Sequence, residues 1–139
     1  MRRYITFYGI VVIMLFWATT GFAVTLYVNG DTDINFNQVT ENYGTKRYLV
    51  VSPTREAFVS FDLSALPADM EINHAALKLW VGKLNNPGLI DLHVVESPWD
   101  ESTLTAAAAP MIDSSPFETL TILEGDLKKY VTVEVTTVV

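Results

Sequence analysis

Four segments between Ala57 and Thr136 exchange apolar and polar residues with a period of two, and this alternation most constrains the fold. Ala57, Val59, Phe61 and Leu63 alternate with Phe58, Ser60 and Asp62, and Ala75, Leu77, Leu79 and Val81 with Ala76, Lys78 and Trp80. Further on, Ile90, Leu92 and Val94 alternate with Asp91, His93 and Val95, and Val131, Val133 and Val135 with Thr132, Glu134 and Thr136. Successive side chains of a strand point to opposite faces, so each run predicts an antiparallel strand with one buried face. The runs are separated by Leu66-Pro67-Ala68-Asp69, Asn85-Asn86-Pro87-Gly88 and Ser97-Pro98, where proline has no N–H to give to a ladder. Strands at this spacing predict an all-β chain, an antiparallel β-sandwich of the jelly-roll kind. A helical turn or two is expected only between Glu101 and Ala109.

The N-terminus follows a different pattern. Arg2 and Arg3 precede the apolar block Ile10–Trp17, and small residues stand at Gly21 and Ala23. A positive start, a short apolar centre and a small-x-small ending describe a helical secretory signal peptide over 1–23, cleaved after Ala23. The mature domain is then 24–139. The uncharged stretch from Tyr4 to Asn29 also has the length of a membrane span, so an uncleaved anchor is the alternative, and the only route to a membrane partner. Either way the domain is secreted or displayed at the cell surface.

Removing the leader leaves seven Lys+Arg against sixteen Asp+Glu, a net charge of −9. Phosphate backbones repel such a domain, which argues against nucleic acid as a partner. The chain has no cysteine, so thiol catalysis and thiolate metal sites are excluded. His74 and His93 are the only histidines and do not stand at a metal-ligand spacing, and no nucleophile elbow or glycine-rich phosphate loop occurs. The adjacent Asp100 and Glu101 read as solvated surface acids.

At Arg55-Glu56-Ala57-Phe58-Val59-Ser60-Phe61-Asp62-Leu63-Ser64-Ala65-Leu66-Pro67 the chain resembles the DNRLRE-type domain, also described as carbohydrate-binding module family ninety-six. Asn42-Tyr43-Gly44-Thr45 resembles the family's Asn-Tyr-Gly turn. The segments 72–81, 97–105 and 133–139 resemble, in order, its A-x-L-x-L strand, its Trp-x-Glu-Ser-Thr-x-Thr element and its Asp-Val-Thr-x-x-Val strand. The likeness covers almost the whole mature chain. It departs at Ala106-Ala107-Ala108-Ala109-Pro110, where the family carries a tryptophan and asparagines. The family also continues through further strands where this chain stops at Val139, so an incomplete sandwich with an unpaired edge is expected. The resemblance implies a jelly roll that binds polysaccharide, sometimes alginate-like, without catalysis, in company with polysaccharide-degrading enzymes.

Sugar modules stack pyranose faces on exposed aromatic rings, with polar groups bonding the hydroxyls around them. Parity turns Trp80 away from Leu77, Leu79 and Val81 and makes it the foremost carbohydrate-binding candidate. Tyr48, flanked by the basic pair Lys46 and Arg47, is the second, and Phe58 the third. Lys128-Lys129 is the other basic cluster. Trp99 reads as a structural plug, and Tyr43 as part of a turn in which Gly44 supplies positive φ. Asp31, Asp33 and Asn35 place oxygen ligands at alternate positions and could hold a structural calcium ion; the bland reading is a polar edge strand or loop. No EF-hand is involved, since Phe36 and Asn42 occupy the positions of its glycine and glutamate. The leading expectation is a secreted non-catalytic polysaccharide-binding module needing no cofactor. The alternative is an extracellular structural or adhesive β-domain that assembles through its exposed edge.

Overall fold

The computed structural model describes residues 5–8, 16–17 and 23–139. Its strands are β1 (Ile5–Tyr8), β2 (Phe16–Trp17), β3 (Ala23–Val24), β4 (Val28–Asn35), β5 (Tyr48–Val51) and β6 (Arg55–Phe61), then β7 (Ala76–Trp80), β8 (Lys83–Leu84), β9 (Gly88–Leu92), β10 (Glu118–Ile122) and β11 (Tyr130–Glu134). Every pairing among them is antiparallel: β5 with β1 and β1 with β8, β4 with β6, β7 with β11, β9 with β10, and β2 with β3. The architecture is the all-β sandwich that the alternation called for.

Most of the leader expected to be helical lies outside the described residues. The stretches of it that are described, β1, β2 and Ala23 at the start of β3, are in strands. Ile5-Thr6-Phe7-Tyr8 is built of β-branched and aromatic types, and the edge of β5 offers it backbone partners from Val51 to Tyr48. Among the described residues no helix is long and apolar enough to cross a membrane. The helical content expected near the alanines reduces to a single 3₁₀ turn, Ala106–Ala108.

Two apolar clusters hold the layers together. The larger contains Leu26, Leu49, Leu77, Leu79, Val81, Ile122, Val133 and Val135, all buried. Parity was therefore read correctly on β7 and β11: their odd-numbered residues form the core, and each buried leucine or valine contributes about 1.5–3 kcal/mol. The smaller cluster is Ile34, Phe58 and Leu104, with Trp99 and Val95 packed against it. It lies on the other face of β6, where Phe58 was expected to be outward. That expectation is corrected, because the segment carrying Trp99 and Leu104 folds over Phe58 and leaves it 4% exposed.

Strand β10 lies outside every alternating run of the sequence, and the β4 segment had only a polar edge strand or loop as its alternative to a cation site. β4 spans Val28 to Asn35, and Thr32, Asp33, Ile34 and Asn35 at its end are all buried. It pairs with β6 from Asp31 opposite Val59 to Asn35 opposite Arg55, with an irregularity between Val28 and Gly30.

Candidate functional site

Directly opposite positions on an antiparallel pair share a face, and Tyr130 stands opposite Trp80. The two rings meet edge to face, with centroids 4.9 Å apart and planes inclined at 63°. This is a favoured arrangement for aromatic quadrupoles. Because Leu79 and Val131 flank them on the core side, Trp80 and Tyr130 face away from the core, and Tyr130 is 47% exposed. Tyr130 was missed in the sequence reading. Its signal was available: it stands in the same alternation as Thr132 and Glu134, out of phase with Val131 and Val133.

The rest of that face follows from the same register. Lys78 lies opposite Thr132 and Ala76 opposite Glu134, whose carboxylate pairs with His74 Nδ1 at 2.8 Å. Hydrogen bonds from the Thr136 hydroxyl first, and then from its backbone N–H, hold Glu134 below the ordinary carboxylate range. At the other end, the Val81 N–H donates to the Lys129 carbonyl at 2.9 Å and the Lys128 N–H to the Val81 carbonyl at 2.8 Å. Lys128 takes up φ 59° to make that turn. The outward face thus carries an aromatic pair, a hydroxyl and lysines within a few residues of one another.

The remaining candidates lie elsewhere. Lys46 and Arg47 are exposed in the approach to β5, and Tyr48 is half-buried as its first residue. β5 pairs with β1 and β7 with β11, so Tyr48 and Trp80 belong to different sheets.

Asp31, Asp33 and Asn35 do lie on one strand, but their side chains have separate tasks. Asp33 is 1% exposed, and its Oδ2 accepts from Arg55 Nε at 2.7 Å and pairs with the Arg55 terminal nitrogen. The Arg55 guanidinium lies 4.3 Å from the centroid of the Tyr43 ring, a cation–π contact. Asn35 Nδ2 donates to Gln38 Oε1 at 3.1 Å and to the Tyr43 hydroxyl at 3.3 Å, and that hydroxyl also bonds Gln38. Burial raises Asp33 above the ordinary carboxylate range while Arg55 pulls it part of the way back. Burial, and then the neighbouring Glu101 carboxylate, raise Asp31. Among the described residues no group of three or more His, Cys, Asp or Glu is gathered for a metal ion.

The Asn-Tyr-Gly turn closes this clasp. Asn42 Nδ2 donates to the carbonyls of Glu101 at 2.9 Å and Leu104 at 2.8 Å. The expectation that Gly44 supplies a positive φ is corrected. The only constraint shown at Gly44 is space, since a Cβ there would sit 2.1 Å from the Glu101 carbonyl oxygen. Trp99 stacks at a tilt on Phe58, with ring centroids 5.9 Å apart. His93 Nδ1 is within 2.7 Å of the Asp113 carbonyl, which ties it to the neighbouring segment.

An antiparallel sandwich with aromatic rings on an outward sheet face, and motif residues spent on internal clasps, defines a β-sandwich binding module. The profile of carbohydrate-binding module family 96 matches residues 23–139, and the chain belongs to that family. No curated protein and no solved structure gives a match.

Proposed function

We propose that the domain 24–139 is exported and binds polysaccharide without turning it over, using Trp80 and Tyr130 as the stacking platform. The observation that carries this reading is the aromatic pair at 4.9 Å on the outward face of β7 and β11, in a chain of carbohydrate-binding family. Export rests on the Arg2/Arg3 start, the apolar block and the Gly21-Phe22-Ala23 ending, and the family match begins at residue 23. Stacking needs no counter-charge, and a net charge of −9 opposes polyanions, so neutral glycans are the favoured ligands. Lys78, Lys128 and Lys129 offer a local route by which an acidic glycan could reach the same rings.

Titration of neutral and acidic oligosaccharides, followed by tryptophan fluorescence at two salt concentrations, tests the reading. Neutral sugars should bind with little salt dependence, and Trp80→Ala should weaken them by about tenfold or more, roughly 1.4 kcal/mol. Tight, salt-sensitive binding of a polyuronate that survives Trp80→Ala would move the site to Lys46, Arg47 and Tyr48. Absence of any sugar response would leave the adhesive reading.

A further inference from the structure

A hollow of about 440 Å³, lined by neither Trp80 nor Tyr130, lies where the start of β4 meets the segment from Trp99 to Ser102. Its size falls within the roughly 300–1,000 Å³ of small-molecule sites. The strand pairing explains its position. Between Val28 and Gly30 the register of β4 on β6 is broken, and such irregularities bend a strand and re-aim its side chains. Gly30 is buried at the break, and a Cβ on it would stand 2.9 Å from Ser60 Oγ, 3.6 Å from Trp99 Cη2 and 3.8 Å from Glu101 Oε2. Glycine at this position therefore lets a hydroxyl, an indole and a carboxylate converge on one spot.

The charge around it has one sign. Asp100 and Glu101 contribute carboxylates to the lining, and among the described residues no lysine or arginine does. Both carboxylates are anchored: Asp100 accepts from the N–H and the hydroxyl of Ser102, and Glu101 Oε2 accepts from the Asp31 N–H at 3.4 Å. Burial and then Glu101 raise Asp31 behind them, the mark of acids crowded together with too little water. Ser60 Oγ donates to Asn29 Oδ1 at 2.9 Å, and both residues reach the hollow. Trp99 is half-buried on Phe58, and part of its indole also faces the space. Indole is the best of the aromatic faces for a cation, and a cleft lined by one sign of charge concentrates the opposite one.

We propose that this hollow is a second saccharide site, and that it takes a pyranose carrying a free, protonated amino group. The ammonium pairs with Glu101 and Asp100 against the Trp99 indole, in charge-assisted hydrogen bonds, while Ser60 and the Asn29 amide serve the ring hydroxyls. An acetyl group on that nitrogen removes the charge, so this site selects by charge where the Trp80 platform selects by ring face. The chain's net charge of −7 acts in the same direction at longer range. The inference rests on the reading of the chain as a sugar binder, but on residues which that reading does not use.

Titration of the chain with a glucosamine trimer and with its N-acetylated counterpart, followed through the indole N–H resonances of its three tryptophans, tests this. The glucosamine trimer should shift the Trp99 resonance, in Trp80→Ala as in the parent, and bind about tenfold or more tighter than the acetylated one. Asp100→Asn combined with Glu101→Gln keeps oxygens that can accept from Ser102 and Asp31, so it should melt as the parent does. Its affinity for the glucosamine trimer should nonetheless fall by about tenfold or more. Raising the pH past the pKa of the sugar amine should weaken binding in the same way. Equal binding of the two trimers, indifference to the double variant, or calcium alone displacing the trimer would overturn the proposal. A Trp99 response to glucosamine in a chain that binds no neutral glycan would uphold this site and sink the Trp80 platform. Neutral-glycan binding with no Trp99 response to glucosamine would do the reverse.

Discussion

Arg55 shows how a residue that opens a family motif can be spent entirely inside the protein. Its guanidinium bonds the buried Asp33 on one side and lies against the Tyr43 ring on the other. Removing one partner of a buried ion pair strands the other charge, so Arg55→Ala should destabilise by about 3–5 kcal/mol in urea melts. Arg55→Lys should recover part of that, having charge but not the planar fork. Asp31 gives the opposite sign. Its pKa is raised in the folded state by burial and by Glu101, so ionisation disfavours the fold. The resulting stability is fully present below the unfolded pKa of about 3.9 and is lost as pH rises through the folded value. Asp31→Asn should therefore stabilise the domain near neutral pH, by no more than about 1 kcal/mol at this half-exposed site. The gain should vanish as melts are taken below about pH 4. A calcium ion held by Asp31 would reverse the result, with the variant less stable whenever calcium is supplied.

At the scale of elements, β7 and β11 were fully legible, because each has one buried and one outward face and so writes its parity into the sequence. β4 was not. Its buried end reads Thr-Asp-Ile-Asn, and pattern reading takes buried residues to be apolar, whereas Asp33 finds a partner in Arg55 of β6 and Asn35 in Gln38 and Tyr43 of the loop that follows. The same limit hid the Arg55 contact of Asp33 and the Gln38 and Tyr43 contacts of Asn35. Phe58 failed for another reason: parity gives the face but not what covers it. Parity also makes Phe61 core, yet it stands half-buried beside an open groove that Leu92 also lines. Leu77→Ala should cost about 2–5 kcal/mol, and Phe61→Ala should cost less than Leu77→Ala despite removing more atoms. Lys78→Ala, on the outward face, should change stability by no more than about 0.5 kcal/mol. Chemical denaturation of the three variants side by side checks the order, and a larger loss at Phe61 than at Leu77 would mean that the groove is closed in solution.

For the whole molecule, the proposed export and the family match meet at one boundary. The expected cleavage after Ala23 coincides, to within a residue, with the start of the family match. Mass spectrometry of secreted protein should find Val24 at the N-terminus; full-length protein held in the membrane would support the anchor instead. Cleavage at that point would also remove the partner that β1 gives to β5 and β8.

The clasp made by Asn42 has a consequence for the order of events during synthesis. Its two bonds join residues 59 and 62 positions apart, and they tie down the segment that covers Ile34 and Phe58. Loop closure over such separations must come before the contacts that reward it, which makes folding slow, in the millisecond-to-second range of non-local β topologies. At about 5–20 residues per second, the ribosome needs several seconds to extend the chain from Asn42 to Leu104. Until then the clasp has nothing to close on. A nascent chain that cannot lock early remains threadable, the condition an exported polypeptide must meet before it crosses a membrane.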